Sequence, residues 1–249
     1  MLENFLAALR TFVLVPLLFL YTMVLAIAVV IVVAIDPKTK TQDRIVEHWA
    51  NLFLAIPPVR VTVEGIDNVD PGQRYVVASN HLSMFDIPLL FRVLPIHGRF
   101  LSKKEVFRYP VIGQGMRAIG IIEIDRDSSG SSRAAINAGV EIAAQRGYSL
   151  LVFPEGTRSR DGELLPFKRG AFRIAIDTGL PLLPVVIEGT DRISTPGSKV
   201  FHAGSVVVRI LPPIVTSDMT NKDDLRPFAN AVETEMGTVY EAMHRARQS

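Results

Sequence analysis

A histidine and an aspartate stand five positions apart in the stretch "ASNHLSMFDIP", residues 78–88. The stretch follows an apolar run typical of a β-strand, so His81 and Asp86 fall on the turn that leaves this strand. A carboxylate bonded to one imidazole nitrogen fixes the tautomer and leaves the other nitrogen as a general base. The chain has no G-x-S-x-G turn that would present an enzyme serine. The pair therefore predicts proton abstraction from a substrate hydroxyl, with a purely structural contact as the alternative.

Two further apolar runs end in cations. Lys103 and Lys104 come directly after the run Phe100–Ser102, where two ammonium groups would attract an anionic headgroup. Arg126 closes the stretch "GIIEIDR", residues 120–126, and the planar fork of its guanidinium matches the oxygens of a phosphate. The alternatives are solvated surface lysines and a structural ion pair of the arginine with a neighbouring aspartate.

A fourth polar stretch, "LLVFPEGTRSRDGELLPFKRGAF" at residues 150–172, begins with the buried-strand pattern of Leu150–Phe153. The alternative for this stretch is a surface loop with charge–charge contacts. Gly156 allows backbone amides to approach a ligand, and Arg158 provides a second fork for phosphate. Taken together, the four stretches supply one base with its carboxylate partner and several cations. This combination indicates group transfer onto a hydroxyl of a phosphorylated lipid.

Short apolar runs alternate with helical patterns over most of the chain, which predicts an α/β fold with a mixed, largely parallel sheet flanked by helices. Ligands bind beyond the carboxyl ends of the strands in such a sheet, where the four polar stretches begin. The predicted strands are Val59–Val63, Tyr75–Ser79, Phe100–Ser102, Ile121–Ile124, Leu150–Phe153, Leu182–Ile187 and Val206–Leu211. The predicted helices are Ile87–Val93, Val106–Ala118, Ser132–Arg146, Arg169–Thr178 and Lys222–Arg247.

The N-terminal part of the chain predicts a membrane anchor. Residues 11–35 carry no charge, and as a helix of about 37 Å they would cross a hydrocarbon core of roughly 30 Å. Lys38, Lys40 and Arg44 follow this run, which by the positive-inside rule favours the cytoplasmic face of a bacterial inner membrane for the rest of the chain. Pro16 leaves open a kinked segment that re-enters one leaflet.

A second, amphipathic helix is predicted over residues 43–56, where it would lie at the membrane interface or pack on the following domain. We expect residues 1–57 to form the anchor and this interfacial helix, and residues 58–249 to form the catalytic domain. The predicted apolar face of the second helix consists of Ile45, Trp49, Leu52 and Phe53.

The composition argues against several other classes of protein. A formal net charge of +2 without a basic stripe gives no reason to expect a nucleic-acid partner. The absence of cysteine excludes thiol catalysis, disulfides and cysteine-ligated zinc. The five histidines show no metal-ligand spacing, so we expect no metal.

The ordered polar stretches resemble the glycerolipid acyltransferase family, especially its 1-acylglycerol-3-phosphate acyltransferases. "NHLSMFD" (80–86) matches an N-H-x-x-x-x-D block, "GIIEIDR" (120–126) a block ending in I-D-R, and "FPEGTRS" (153–159) the F-P-E-G-T-R-S block. "LPLLPVVI" (180–187) is similar to a fourth, proline-containing block. The resemblance covers about residues 59–190, and the ordered set is far more specific than any one block.

This resemblance implies transfer of a fatty acyl group from acyl-CoA or acyl-carrier protein to the sn-2 hydroxyl of lysophosphatidic acid, giving phosphatidic acid. His81 would be the general base and Asp86 its orienting partner, while Pro184 would lie on the donor side. No cofactor is implied beyond the acyl donor, and membrane lipids would surround the anchor. The residues that the resemblance assigns to acceptor binding are Lys104, Arg126, Glu155, Gly156, Thr157 and Arg158, with Lys104, Arg126 and Arg158 nearest the phosphate.

Other functions stay open at this point. Glu123 stands where the family often has an aromatic or aliphatic residue, which affects how the acceptor would sit. The acceptor could instead be glycerol-3-phosphate or a lyso-ornithine-type lipid. A thioesterase would use the same base to activate water, and a non-catalytic membrane lipid-binding protein would need no base at all. The preferred acyl-chain length would depend on the depth of an apolar tunnel.

Overall fold

Seven strands form one sheet in the computed structural model, which describes residues 2–124, 139–143, 145–194, 198–219 and 224–248. The sheet order is β1-β7-β6-β2-β5-β3-β4, and every neighbouring pair is parallel except β6 with β7. The strands are β1 Val59–Glu64, β2 Val76–Ser79, β3 Gly98–Lys103, β4 Ile122–Ile124, β5 Ser149–Val152, β6 Leu182–Glu188 and β7 Gly204–Ile210. The predicted mixed, largely parallel α/β fold is confirmed.

The helices cover both faces of this sheet, and the first two precede it in the chain. They are α1 Leu2–Ile35, α2 Thr41–Ala55, α3 Asp86–Val93, α4 Ile112–Ile119, α5 Gly170–Thr178, α6 Thr190–Ile193 and α7 Leu225–Gln248. The predicted helix Val106–Ala118 is divided into a 3-10 turn, Val106–Arg108, and α4. Pro110 causes the break, because it has no N–H and pushes Tyr109 into an extended conformation, φ −68° and ψ 120°. Most of the predicted helix Ser132–Arg146 lies outside the described residues, but residues 139–143 are helical.

The central strand β2 is buried on both faces, which explains why three of its four residues, Val76, Val77 and Ala78, are apolar. Val76 and Ala78 face a core built mainly with α5 and α7, whereas Val77 faces a second core that includes residues of α2 and α3. Successive side chains of a strand point to opposite faces, so this one strand connects the two cores. The turn after β2 therefore begins at a strand that is packed between both cores.

The helix α1 packs one face against the rest of the chain and exposes the other. Arg10 donates to the Phe201 carbonyl at 3.0 Å, and the Phe201 amide donates to the Thr11 hydroxyl at 3.0 Å. Further along, Ala26 packs directly on Gly115 of α4. Within α1, residues Phe5–Ile35 are long and apolar enough to cross a membrane.

The buried face of α2 differs from the predicted one. Val46, Ala50 and Leu54 are buried, together with Gln42 and Asp43 at the helix start. The two polar residues are buried because each has a partner on the sheet. Asp43 forms an ion pair with the buried Arg99, and Gln42 donates to the Tyr148 hydroxyl. The predicted face of Ile45, Trp49, Leu52 and Phe53 is half-buried or exposed instead.

Candidate active site

His81 and Asp86 form a hydrogen-bonded pair beyond the carboxyl end of β2. The imidazole Nδ1 lies 2.8 Å from Asp86 Oδ2, and the same oxygen accepts the amide protons of Leu82 and Ser83, each at 2.8 Å. An ionised carboxylate only accepts, so Nδ1 carries the proton and Nε2 is left with its lone pair. The Asp86 side chain is fully buried, whereas the His81 side chain is 15% exposed. This arrangement is the one that a general base and an orienting carboxylate would need.

The ring of His81 is also fixed from its face. Phe153, the residue after β5, stacks on the imidazole with ring centroids 3.9 Å apart and an angle of 12° between the planes. Phe100 of β3 stacks on Phe153 in turn, at 5.7 Å and 11°. The plane of the His81 ring is thus set by an aromatic stack, and its Nδ1 edge is held by Asp86.

The turn after β5 holds the backbone of His81 on both sides. Glu155 Oε1 accepts the His81 amide proton at 2.8 Å, and the Ser159 amide donates to the His81 carbonyl at 2.9 Å. Glu155 Oε2 accepts the Leu165 amide proton at 3.2 Å, so both carboxylate oxygens face backbone amides. The Glu155 side chain thereby supports the His81 turn, and its predicted contact with the acceptor stays a prediction.

Burial dominates the electrostatics of Glu155, which is 2% exposed. Loss of solvation raises the pKa of this carboxyl from 4.5 to about 7. The two amide hydrogen bonds act in the opposite direction, and the nearby charge of Asp86 adds to the rise. Neutral pH is therefore close to the pKa of the Glu155 carboxyl group that holds the His81 turn.

Gly156 takes the left-handed conformation that the turn requires, with φ +72°. Its amide donates to the Phe153 carbonyl at 3.0 Å, which closes the turn. A Cβ at this position would lie 2.8 Å from Lys168 Nζ, so the absence of a side chain lets an ammonium group approach the turn. Lys168 belongs to the same fourth polar stretch, residues 150–172, and its position in the sequence indicated no role for it.

A polar cleft of about 750 Å³ opens beside the His81 turn. It is lined by residues 82–84 after β2, by residues 157–160 after β5, and by Ser194, Ser198, Lys199 and Phe201 between β6 and β7. Thr157 and Arg158 lie here as predicted site residues, and Arg160 and Lys199 are cations that the sequence did not single out. The cleft therefore places three cationic side chains beside the His81 turn, a setting suited to an anionic substrate.

The remaining predicted residues lie elsewhere. Lys104 follows β3 at the same edge of the sheet, and its amide donates to the Ile124 carbonyl at 3.1 Å. Arg126 lies outside the described residues. Pro184 is buried in β6 next to Ala78 of β2. In the described part of the chain no group of three or more histidine, aspartate or glutamate side chains is arranged to hold a metal ion.

A model of the acyltransferase family matches residues 60–188, about half of the chain. The chain belongs to this acyltransferase family. The matched range holds His81, Asp86 and the turn of Glu155, and it covers β2, β5 and β6, the strands that position them. The resemblance identified from four short blocks is thus confirmed over the whole segment between them.

Individual relatives extend the match. This acyltransferase is 34% identical over 182 residues to the 1-acyl-sn-glycerol-3-phosphate acyltransferase alpha of Ovis aries and of Homo sapiens, covering 73% of this chain and 63% and 64% of those proteins. It is 36% identical over 195 residues to the 1-acyl-sn-glycerol-3-phosphate acyltransferase of Saccharomyces cerevisiae, covering 78% of this chain and 63% of that one. The chain thus spans less than two thirds of the length of these relatives.

A solved structure matches the acyltransferase over nearly its full length. The crystal structure of the 1-acyl-sn-glycerophosphate (LPA) acyltransferase PlsC from Thermotoga maritima superposes with a TM-score of 0.77 and 26% identity. The match covers 98% of this chain and 97% of that chain, so it includes the N-terminal helices as well as the sheet.

An apolar cavity of about 360 Å³ lies at the Phe100 end of the aromatic stack. It is lined by side chains of α1, α2, α3, α4 and β3, among them Val29, Trp49, Phe91, Phe100 and Met116. Phe100 belongs both to this cavity and to the stack that ends on His81. The aromatic stack therefore connects the His81 ring to the wall of this apolar cavity.

Proposed function

We propose that this acyltransferase transfers a fatty acyl group from a thioester donor to the sn-2 hydroxyl of 1-acylglycerol-3-phosphate, giving phosphatidic acid. The observation that carries the proposal is the 2.8 Å bond between His81 Nδ1 and Asp86 Oδ2, in a site with a cationic cleft and an apolar cavity. The names of the relatives and of the superposed structure support the same reaction.

The proposed reaction uses His81 as base and then as acid. Nε2 takes the proton of the acceptor hydroxyl as its oxygen attacks the thioester carbonyl, and the C–S bond of the resulting tetrahedral intermediate then breaks. The imidazolium returns its proton to the departing thiolate, so a thiol and an oxygen ester are formed. These steps need only this chain and the two substrates, with acyl-CoA or acyl-carrier protein as donor, and involve no further cofactor.

The acceptor phosphate would bind in the polar cleft. Arg158 and Arg160 offer planar forks for its oxygens, and Lys199 adds a third positive charge from the opposite wall. A phosphorylated acceptor explains this concentration of cations better than a neutral lyso-lipid does. Lys104 and Arg126 remain proposed phosphate ligands from the resemblance.

The acyl chain would occupy the apolar cavity between α1, α2, α3 and α4. Each methylene that leaves water for such a site contributes about 0.8 kcal/mol, so a cavity of fixed depth favours chains that fill it. The cavity ends at the Phe100–Phe153–His81 stack, which would bring the carbonyl end of a bound chain toward the base.

We infer that α1 lies in one leaflet of the membrane rather than across it. Near Ala26, α1 packs on Gly115 of α4, and the same helix carries Arg117, which forms an exposed ion pair with Glu123. If α1 spanned the bilayer, this ion pair would come close to the hydrocarbon core, where charged groups are costly. With α1 in one leaflet, its exposed apolar face enters the lipid while the domain remains at the surface. We assign this surface to the cytoplasmic side because Lys38, Lys40 and Arg44 follow the apolar run.

The acceptor is tested by supplying radiolabelled acyl-CoA with three acceptors in parallel: lysophosphatidic acid, glycerol-3-phosphate and lyso-ornithine lipid. The proposal predicts a labelled diacyl product with lysophosphatidic acid at a rate at least tenfold above the other two. A faster reaction with either of the others would replace the proposed acceptor. Labelled free fatty acid in all three reactions would identify a thioesterase.

A further inference from the structure

Thr190, the first residue of α6, contacts the catalytic pair although it lies outside every polar stretch that follows β2, β3, β4 or β5. Its hydroxyl donates to Asp86 Oδ1, and its side chain is buried, with the residue 1% exposed. The other carboxylate oxygen, Oδ2, accepts the bonds from His81, Leu82 and Ser83. Thr190 thus binds the oxygen that the His81 turn does not reach.

A bond to the second oxygen controls the plane of the carboxylate. Rotation about the final torsion of an aspartate side chain is soft, because this torsion joins sp³ and sp² atoms and has no sharp minima. With Oδ2 alone held, the carboxyl group could turn and change the direction in which it meets Nδ1. A hydroxyl on Oδ1 removes this freedom, and it therefore also fixes where Nε2 of His81 points.

Thr190 is itself held in place by the end of β6. Glu188 is buried, and Arg247 of α7 donates to its Oε2 at 2.7 Å while Arg192 binds its other oxygen. Between them, Gly189 turns the chain with φ +101°, and a Cβ there would come within 2.7 Å of the Ser205 carbonyl oxygen. The segment that presents the hydroxyl is therefore anchored to α7 and β7.

We propose that Thr190 is a positioning residue of the acyl transfer: its hydroxyl fixes the Asp86 carboxylate so that His81 Nε2 is aimed at the acceptor hydroxyl. This role rests on the proposed function, because it describes the geometry of that general base. Thr190 acts through Asp86 and His81 and is not placed against substrate.

The kinetic test compares three variants. Thr190→Val keeps the shape and removes the O–H, whereas Thr190→Ser keeps the O–H. Thr216→Val is the matched control, since Thr216 is also 1% exposed and donates to the carbonyls of Ala175 and Leu180, away from the pair. Loss of a hydrogen bond to a charged group predicts a ten- to hundredfold lower kcat for Thr190→Val, with KM for lysophosphatidic acid within threefold of wild type. Thr190→Ser is expected to keep kcat within threefold.

A wild-type kcat in Thr190→Val would overturn the proposal, as would an equal loss of kcat in Thr216→Val. A second readout does not depend on turnover. In protein labelled with ¹⁵N-histidine, the His81 ring signal is assigned by its absence in His81→Ala among the five histidines. Thr190→Val should shift the His81 Nδ1–H signal and Thr216→Val should not. If wild type fails to acylate lysophosphatidic acid, the proposed function fails, while an unmoved Nδ1–H signal would reject the role of Thr190 alone.

Discussion

The Glu155 carboxylate accepts the backbone amide proton of His81 at 2.8 Å, which joins the turn after β5 to the turn after β2. The two residues are 74 positions apart in the chain, but β2 and β5 are neighbouring parallel strands and end at the same edge of the sheet. Because Glu155 is almost fully buried, loss of solvation disfavours its ionised form at this contact. The backbone of His81 is thus held by a carboxyl group that is itself difficult to ionise.

The first prediction concerns stability against pH. The pKa of Glu155 is about 7 in the folded state and 4.5 in the unfolded state. Between pH 4.5 and pH 7, Glu155 is therefore protonated in the folded state and ionised in the unfolded state. The contribution of Glu155 to the free energy of unfolding is therefore greatest below pH 4.5 and falls by on the order of 3 kcal/mol as pH rises to about 7.

The measurement is thermal unfolding in detergent from pH 5 to 8 for wild type and Glu155→Gln, which lacks this titration. Wild type should lose melting temperature relative to Glu155→Gln as pH rises. Glu235→Gln, at an exposed position of α7, controls for the removal of one carboxylate. A difference between wild type and Glu155→Gln that does not change with pH would contradict the raised pKa.

The second prediction concerns Asp86. Asp86→Asn keeps the size of the side chain but places an N–H₂ group within the ring of donors around it, so the imidazole loses its carboxylate acceptor and the required tautomer. We expect kcat to fall by about 10²- to 10⁴-fold, the range typical of general base catalysis. Asp177→Asn, which removes an exposed partner of Arg173, should stay within twofold of wild type. More than a tenth of the wild-type kcat in Asp86→Asn would argue against the pair as the base.

The third prediction concerns the apolar cavity. Met116 lines it, so Met116→Trp should exclude the far end of a long acyl chain. Loss of two buried methylenes costs about 1.6 kcal/mol, which lowers kcat/KM for the long chain about tenfold relative to a chain that still fits. The measurement is kcat/KM over a series of acyl donors of increasing length. Gln114→Trp, exposed on the same helix, is the control, and an unchanged length profile in Met116→Trp would place the acyl chain elsewhere.

The fourth prediction concerns the position of α1 in the membrane. The chain contains no cysteine, so single cysteines can be introduced at Leu2 and at Lys38, beyond the two ends of the apolar stretch. With α1 in one leaflet, a membrane-impermeant maleimide should label both positions from the same side of sealed vesicles. Labelling of the two positions from opposite sides would show that α1 spans the bilayer.

Much of the site could be predicted because the carboxyl ends of parallel strands lie at the same edge of the sheet. His81 after β2 and Arg158 after β5 were found on this basis, and the strand patterns that locate them are short apolar runs visible in the sequence. The glycine of the turn, Gly156, was also predictable, since its left-handed φ is one that side chains rarely adopt.

Other features depend on contacts that no local pattern encodes. Thr190 meets Asp86 across 104 positions and is a single hydroxyl after a buried strand, which is an ordinary place for a threonine. The apolar cavity is made of side chains from five elements, so no single element reveals it. The burial of Asp43 at the start of α2 could not be predicted because its buried partner, Arg99, lies far away in sequence. Only the break of the helix at Pro110 could have been anticipated from the sequence itself.

The central claim is that His81 is the base that activates the acceptor, and one measurement tests it most directly. Thiol release from acyl-CoA is followed with protein purified with α1 in detergent, with and without lysophosphatidic acid, for wild type and for His81→Ala. The account predicts release that requires lysophosphatidic acid and that falls by at least 10²-fold in His81→Ala. Acceptor-dependent release at the wild-type rate in His81→Ala would contradict it.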